Sequence, residues 1–295
     1  MYSDLTGKYC LVTGASSGIG REIALGLAKL GARVSMVGRD PLRGRAALEY
    51  VCKGSGNRSV ELMLADLSSQ GQIKALVNTF KLTNGGLHLL VNNAGIIIDK
   101  RQLSVDGIEM TFAVNYIAYF MLTNLLLDLL KHSAPARVVN LTSAIHRTVR
   151  LDFDNLQGEK KFNRDRVYAQ SKLADIIFTN ELARRLEGTG VTANSVCPGA
   201  VSSNLWTTSS KAIATFFRLL MKGPAQGAVL PLYVAASGDT AGATGQYFQT
   251  GQHLKWAKVK TGGSICKPSA QACDIETAKK LWQVSESLTG IACSI

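Results

Sequence analysis

The chain has 295 residues, 46% hydrophobic and 18% charged, which is ample for a buried core and excludes intrinsic disorder. Its formal charge of +12 suits anionic partners such as phosphorylated cofactors or acidic lipid, but no Lys/Arg run with interleaved aromatics argues for nucleic acid. No stretch reaches the roughly 18 apolar residues of a membrane span, and the six cysteines form no CxxC pair or zinc-like cluster, so reduced thiols and no metal are expected.

Taken in chain order, short β-type runs alternate with helix-type segments. Residues 8–14 (KYCLVTG) read as a buried strand, after which Ile19, Ile23, Leu27 and Leu30 fall at helical spacing. Further strands are expected at 32–38, 60–67, 87–95, 136–143, 191–199 and 245–248, with helices at 105–131, 165–187 and 224–236. Such alternation means a parallel sheet covered by helices on both faces. No linker or internal repeat interrupts it, so residues 1–295 are expected to form a single α/β domain, a doubly wound parallel sheet of Rossmann type. Two segments break the rhythm. One is the polar stretch 144–166. The other is 200–223, where KAIATFFRLLMK gathers Ile213, Phe216, Phe217, Leu220 and Met221 at helical spacing.

The first turn, TGASSGIG (13–20), joins a strand to a helix. Gly14, Gly18 and Gly20 let the backbone bend tightly and approach a pyrophosphate, with Ser16, Ser17 and Ile19 completing a cradle at the helix N-terminus. The spacing is not the GxGxxG of the commoner dinucleotide fingerprint. At the end of the second strand an acidic residue would select NAD through a ribose 2′-hydroxyl. This chain has Gly38 and then Arg39, whose planar fork suits a 2′-phosphate, so the expected cofactor is NADP(H).

VNNAG (91–95) and NLTS (140–143) end the fourth and fifth strands at the sheet edge where open α/β folds bind ligands. The sequon match at Asn140 falls in that buried strand and is a coincidence of letters. YAQSK (168–172) then places Tyr168 and Lys172 one helical turn apart. By spacing alone that pair could equally be a solvated helix face.

TGASSGIG, NNAG, the mid-helix Asn115 of FAVNY, Ser143, YAQSK and CPGAV occur in this order along the chain. In that set the sequence resembles the short-chain dehydrogenase/reductase family from end to end. The segments around 110–130, 154–201 and AKKLWQVSESLTG are most similar to its retinol dehydrogenase branch. The resemblance implies that Tyr168 gives or takes the proton at the substrate oxygen. A free phenol titrates near ~10, and the Lys172 ammonium is expected to lower that value. The family further implies that Lys172 bonds the nicotinamide ribose, that Ser143 polarises the substrate oxygen, and that Asn115 holds a water linking Lys172 to solvent. Asp66 and Leu67 would contact adenine; Asn93, with Ala94 and Gly95, would sit against the adenosine ribose. Pro198, Gly199 and Val201 would line the nicotinamide carboxamide, and Ser203 stands where relatives often carry a pyrophosphate-binding threonine.

His146, three residues past Ser143, is read as shaping the substrate pocket rather than as a base, since Tyr168 already fills that part. Segment 200–223 is read as a substrate lid, with Phe216 and Phe217 as its apolar wall. Members of the branch usually open on a hydrophobic anchor, whereas this sequence starts directly on the first strand. The expected partner is therefore a small apolar or retinoid-like aldehyde, ketone or alcohol, in the cytoplasm, with peripheral membrane contact and homo-oligomerisation left open. Two rival readings remain at this stage: a steroid or small-ketone reductase, and a non-catalytic NADP(H)-binding sensor. The complete Asn115, Ser143, Tyr168 and Lys172 set disfavours the sensor.

Overall fold

Apolar runs too short to be helices lie side by side as one eight-stranded sheet in the computed structural model, which describes residues 2–201, 222–250 and 264–292. The strands are β1 (Tyr9–Thr13), β2 (Arg33–Gly38), β3 (Val60–Leu64), β4 (Leu89–Asn92), β5 (Ala136–Leu141), β6 (Val191–Cys197), β7 (Tyr247–Gln249) and β8 (Ser264–Ile265). Their order is β3-β2-β1-β4-β5-β6-β7-β8. All neighbours are parallel except the short β8, which runs antiparallel to β7. The helices are α1 (Gly18–Lys29), α2 (Pro41–Ser55), α3 (Gln70–Thr83), α4 (Met110–Phe112), α5 (Ala118–Leu125), α6 (Leu127–His132), α7 (Arg164–Arg185), α8 (Pro224–Ala236) and α9 (Ile275–Thr289). Among the described residues, no helix is long and apolar enough to cross a membrane.

Because side chains alternate across a strand, each central strand feeds two cores. Val12, Met36, Val91 and Val196 pack with Ile23, Leu27 and Val234 from α1 and α8. Leu11, Val37, Leu90 and Val138 face the other way, against Phe80, Phe120, Phe178 and Trp282 from α3, α5, α7 and α9. There Phe120 meets Trp282 edge-on, with centroids 5.2 Å apart, a geometry that adds about 0.5–1.5 kcal/mol beyond area burial. The doubly wound class expected from alternation is the one observed.

Several bounds differ from the sequence reading, and two of the differences have a clear local reason. Strand 60–67 stops at Leu64 because the Asp66 carboxylate accepts the Ser68 N–H and hydroxyl (2.9 and 2.8 Å), which turns the chain. The helix expected over 105–131 starts at Met110, where the Glu109 carboxylate accepts the Phe112 N–H, while Gly107 bends the preceding loop at φ 76°. That helix also contains a π-turn at Ala113–Ile117, and it breaks again at Leu126. The edge strand β8 and the helix α9 complete the fold at the C-terminal side.

Strand order runs away from β1 in both directions, to β2 on one side and to β4 on the other. The crevice outside the carboxyl ends of those strands is where such sheets take ligands.

Candidate active site

A cavity of about 1230 Å³ opens at that crevice. This exceeds the usual range for one small ligand and is large enough for a dinucleotide with a second molecule beside it. Its floor is the β1–α1 turn. Gly14 sits at φ 65°, and a Cβ there would fall 2.8 Å from the Ala94 Cα. A Cβ on Gly20 would run into the Asn93 amide and lie 2.5 Å from the Gly14 carbonyl oxygen. The glycines therefore let the ends of β1 and β4 touch. Asn93 secures the contact: its Nδ2 donates to Thr13 O (2.8 Å), and the Thr13 hydroxyl accepts the N–H groups of Asn93 and Ala94 (2.9 and 3.0 Å). The Asn93 amide N–H group is thus used in holding the turn, while Asn93, expected against a ribose, lines the cavity. Ser17 caps α1 without a side-chain bond and no acidic residue stands in the first turn, so the helix start remains suited to an anion. The residues present fit a pyrophosphate.

At the β2 end, Arg39 and Asp66 line the cavity as an open pair 3.7 Å apart, with the Arg39 side chain 69% exposed. Asp40 is spent elsewhere, because its carboxylate accepts the N–H groups of Leu42 and Arg43 as the N-cap of α2 (2.9 and 3.0 Å). A second cation, Arg43, donates to the Ser17 hydroxyl (3.3 Å) and faces the same cavity. Sequence reasoning missed Arg43. The signal was available, since Asp40-Pro41 starts a helix and position 43 completes its first turn back over the Gly-rich loop. Leu67, Gly95, Ser16, Gly18 and Ile19 line the wall as expected.

The opposite end is buried. Lys222, reached through the Ala200 carbonyl that accepts its N–H (3.1 Å), joins Pro198, Gly199 and Val201 in the wall. Tyr168 and Ser143 also face the cavity, and the phenol hydrogen-bonds the Ser143 side chain. One turn on, Lys172 lines the cavity too, but its ammonium donates to Asp175 Oδ2 (2.8 Å) and to Leu141 O (3.0 Å) at the end of β5. Here the expectation of a phenol lowered by Lys172 is corrected. Burial pushes the Tyr168 phenol well above its ordinary value; Cys197 and Asp175 add to the rise, and only the Ser143 bond opposes it. The ammonium is compensated by a carboxylate before the phenol can benefit. Asp175 was not singled out from the sequence, although a lysine and an aspartate three apart in an otherwise apolar helix stretch point to a pair.

Asn115 sits in the π-turn, fully buried, and does not line the cavity. Its Oδ1 accepts the Ile96 N–H (2.8 Å), while Nδ2 donates to Ile96 O (3.0 Å) and the Ser171 hydroxyl (3.1 Å). Ser171 in turn donates to Tyr168 O (2.7 Å). With both amide protons committed, the side chain positions the β4 turn and the Tyr168 helix. The substrate assignment of His146 is corrected as well. Its ring is fully buried outside the cavity lining, Nε2 accepts the Ser269 N–H (3.3 Å), and Nδ1 faces Ser143 O (2.8 Å). An acceptor at Nε2 leaves the proton on Nδ1, which donates to Ser143 O, and burial favours that neutral ring. His146 therefore braces the Ser143 backbone. Ser203, Phe216 and Phe217, and nearly all of the lid expected at 200–223, lie outside the described residues.

The family model described as short chain dehydrogenase matches residues 8–214. Human retinol dehydrogenase 11 is 41% identical over 289 residues, covering 97% of this chain and 87% of that protein. Human retinol dehydrogenase 13 is 36% identical over 97% of this chain and 86% of its own length. Among solved structures, an uncharacterised Mycobacterium Paratuberculosis protein is similar at TM-score 0.79 and 28% identity, covering 100% of this chain and 97% of that one. The Pseudomonas aeruginosa RhlG/NADP active-site complex is similar at TM-score 0.67 and 27% identity, covering 85% and 97%.

Proposed function

Because the chain belongs to the short-chain dehydrogenase/reductase family, on its retinol dehydrogenase side, we propose that it is an NADP(H)-dependent oxidoreductase. It interconverts an apolar, retinoid-like aldehyde or ketone and the corresponding alcohol. The observation that carries this reading is the Tyr168 phenol bonded to the Ser143 side chain on the cavity wall, with Lys172 one turn away. The chemistry a nicotinamide dinucleotide supplies when bound is donation or acceptance of a hydride at the carbonyl carbon.

The chain's own residues do the rest. The β1–α1 turn and the start of α1 bind the pyrophosphate. Arg39 and Arg43 flank the 2′-phosphate; Asp40 does not compete there because it caps α2, and the loose Arg39–Asp66 pair opens to admit the anion. Ser143 donates to the substrate oxygen and orients it toward Tyr168. In reduction the phenol gives that oxygen its proton; in oxidation the phenolate takes it back. The high phenol position favours the protonated donor at neutral pH, since the Lys172 charge is offset by Asp175. Pro198, Gly199 and Val201 form the wall at the nicotinamide end.

The test is turnover of the purified protein with NADPH and with NADH across aldehydes and ketones of increasing apolar length. Reduction that requires NADPH and improves with apolar length is the expected result. Tight NADPH binding without turnover of any carbonyl would replace this reading with a cofactor-binding, non-catalytic protein.

A further inference from the structure

The Lys172 ammonium is sandwiched. Above it lies the cavity; below it lies Asp175, whose side chain is fully buried and whose Oδ2 accepts from Nζ at 2.8 Å. The other carboxylate oxygen, Oδ1, is buried with no hydrogen-bond partner among the described residues. A neutral acceptor would hold Lys172 with the same geometry and without the penalty of burying an ion, so packing alone does not call for a charge here. The surroundings confine that charge to the proton-transfer end. Tyr168 and Lys172 face it from α7 itself, and Tyr119 faces it from α5, with its phenol on Ala94 O (2.8 Å) and its ring 5.1 Å from Nζ. Cys197 on β6 stands against Tyr168 from the far side. Asp175 raises both Tyr119 and Tyr168, and burial lifts its own carboxyl to about 7 against the pull of Lys172.

We propose that Asp175 is a positioning residue for the proton-transfer pair, holding Lys172 at the Leu141 carbonyl and cancelling part of its charge, so that Tyr168 is kept as a proton donor suited to carbonyl reduction. The idea rests on the reading of Tyr168 as the acid/base. It goes further by assigning the direction in which the site is biased to one carboxylate.

The sign is fixed by charge. Replacing the carboxylate by a neutral amide leaves the ammonium uncompensated, which favours phenolate. In Asp175→Asn the alkaline limb of carbonyl reduction, and the rise of alcohol oxidation, should both move to lower pH by about one unit, the small end of a single neighbouring charge's effect. Below about pH 7, where the carboxyl of the unmodified protein takes up its proton, the two proteins should converge. Asp175→Glu keeps the charge and should keep the wild-type limb. Asp175→Ser, a second neutral acceptor, carries the test if Asp175→Asn does not fold, as judged by its melting temperature and NADPH binding. Neutral variants that fold, bind NADPH and keep the wild-type limb overturn the proposal. If Tyr168→Phe retains turnover, the underlying reading fails instead, and the two failures are told apart by that one control.

Discussion

At the β2 edge of the cleft the charged groups are long, exposed and only loosely paired: Arg39 stands 3.7 Å from Asp66, and Arg43 touches Ser17 at 3.3 Å. At the β5–α7 end, Lys172 and Asp175 are buried and bonded at 2.8 Å, beside a phenol and a serine already hydrogen-bonded to each other. An exposed pair of that kind contributes about 0–1 kcal/mol to the folded protein, so the β2 cations are free to turn to an incoming phosphate. The buried set has no such freedom. Its geometry is laid down with the fold, through Asn115, Ser171 and the Asn92–Asn140–Thr179 chain that links β4, β5 and α7. On the proposed reading, one end would select a cofactor by capture and the other would prepare a proton in advance.

The sharpest way to break this contrast is at Tyr168. Phe in its place keeps the ring and loses the hydroxyl, so the packing beside Ser143 is retained. Turnover should fall by at least ~100-fold, the lower range for loss of a general acid, while the NADPH dissociation constant stays within a few-fold. Stopped-flow hydride transfer together with fluorescence titration of NADPH would read both quantities. A variant that binds NADPH poorly would show that the two ends are not independent.

How far the sequence could foresee these two ends follows from the same difference. TGASSGIG, Arg39 and YAQSK are local patterns, and local patterns survive in one dimension; the parallel sheet covered on both faces, with a ligand edge at its strand ends, followed from strand–helix alternation. What was misread depends on burial and on partners distant in sequence. His146 looked like a pocket residue until Ser269, 123 positions away, was found donating to it. That Ile96 and Ser171 take the Asn115 amide could not be read from the sequence either. The expected lowering of the Tyr168 phenol failed because a spacing of four residues says nothing about what else an ammonium meets, here Asp175 and the Leu141 carbonyl.

A smaller effect is expected at the captured end. Arg39→Ala would remove the proposed charge-assisted bond to the 2′-phosphate, worth roughly 1.5–3 kcal/mol or about 10- to 150-fold in NADPH affinity. NADH affinity and turnover at saturating NADPH should be nearly unchanged, which isothermal titration and steady-state kinetics would establish. Equal use of NADH and NADPH by the unmodified protein would remove the basis for this assignment.

Smallest of all should be Arg43→Ala. The guanidinium is exposed, and its hydrogen bond to the Ser17 hydroxyl is long at 3.3 Å, so the fold loses little with it. In the bound state it would act as the outer of two cations, beyond Arg39, and contribute mainly through screened attraction. A loss of about 3- to 10-fold in NADPH affinity is expected at low salt, about 0.7–1.4 kcal/mol, shrinking toward none as ionic strength approaches 1 M and the Debye length falls to about 3 Å. Arg39→Ala should keep more of its effect under the same salt, because a direct paired bond is less screened than a charge at a distance. Measuring both variants across salt concentrations therefore ranks the two arginines. If Arg43→Ala proves the more costly and the more salt-resistant, the direct contact belongs to α2 rather than to the end of β2.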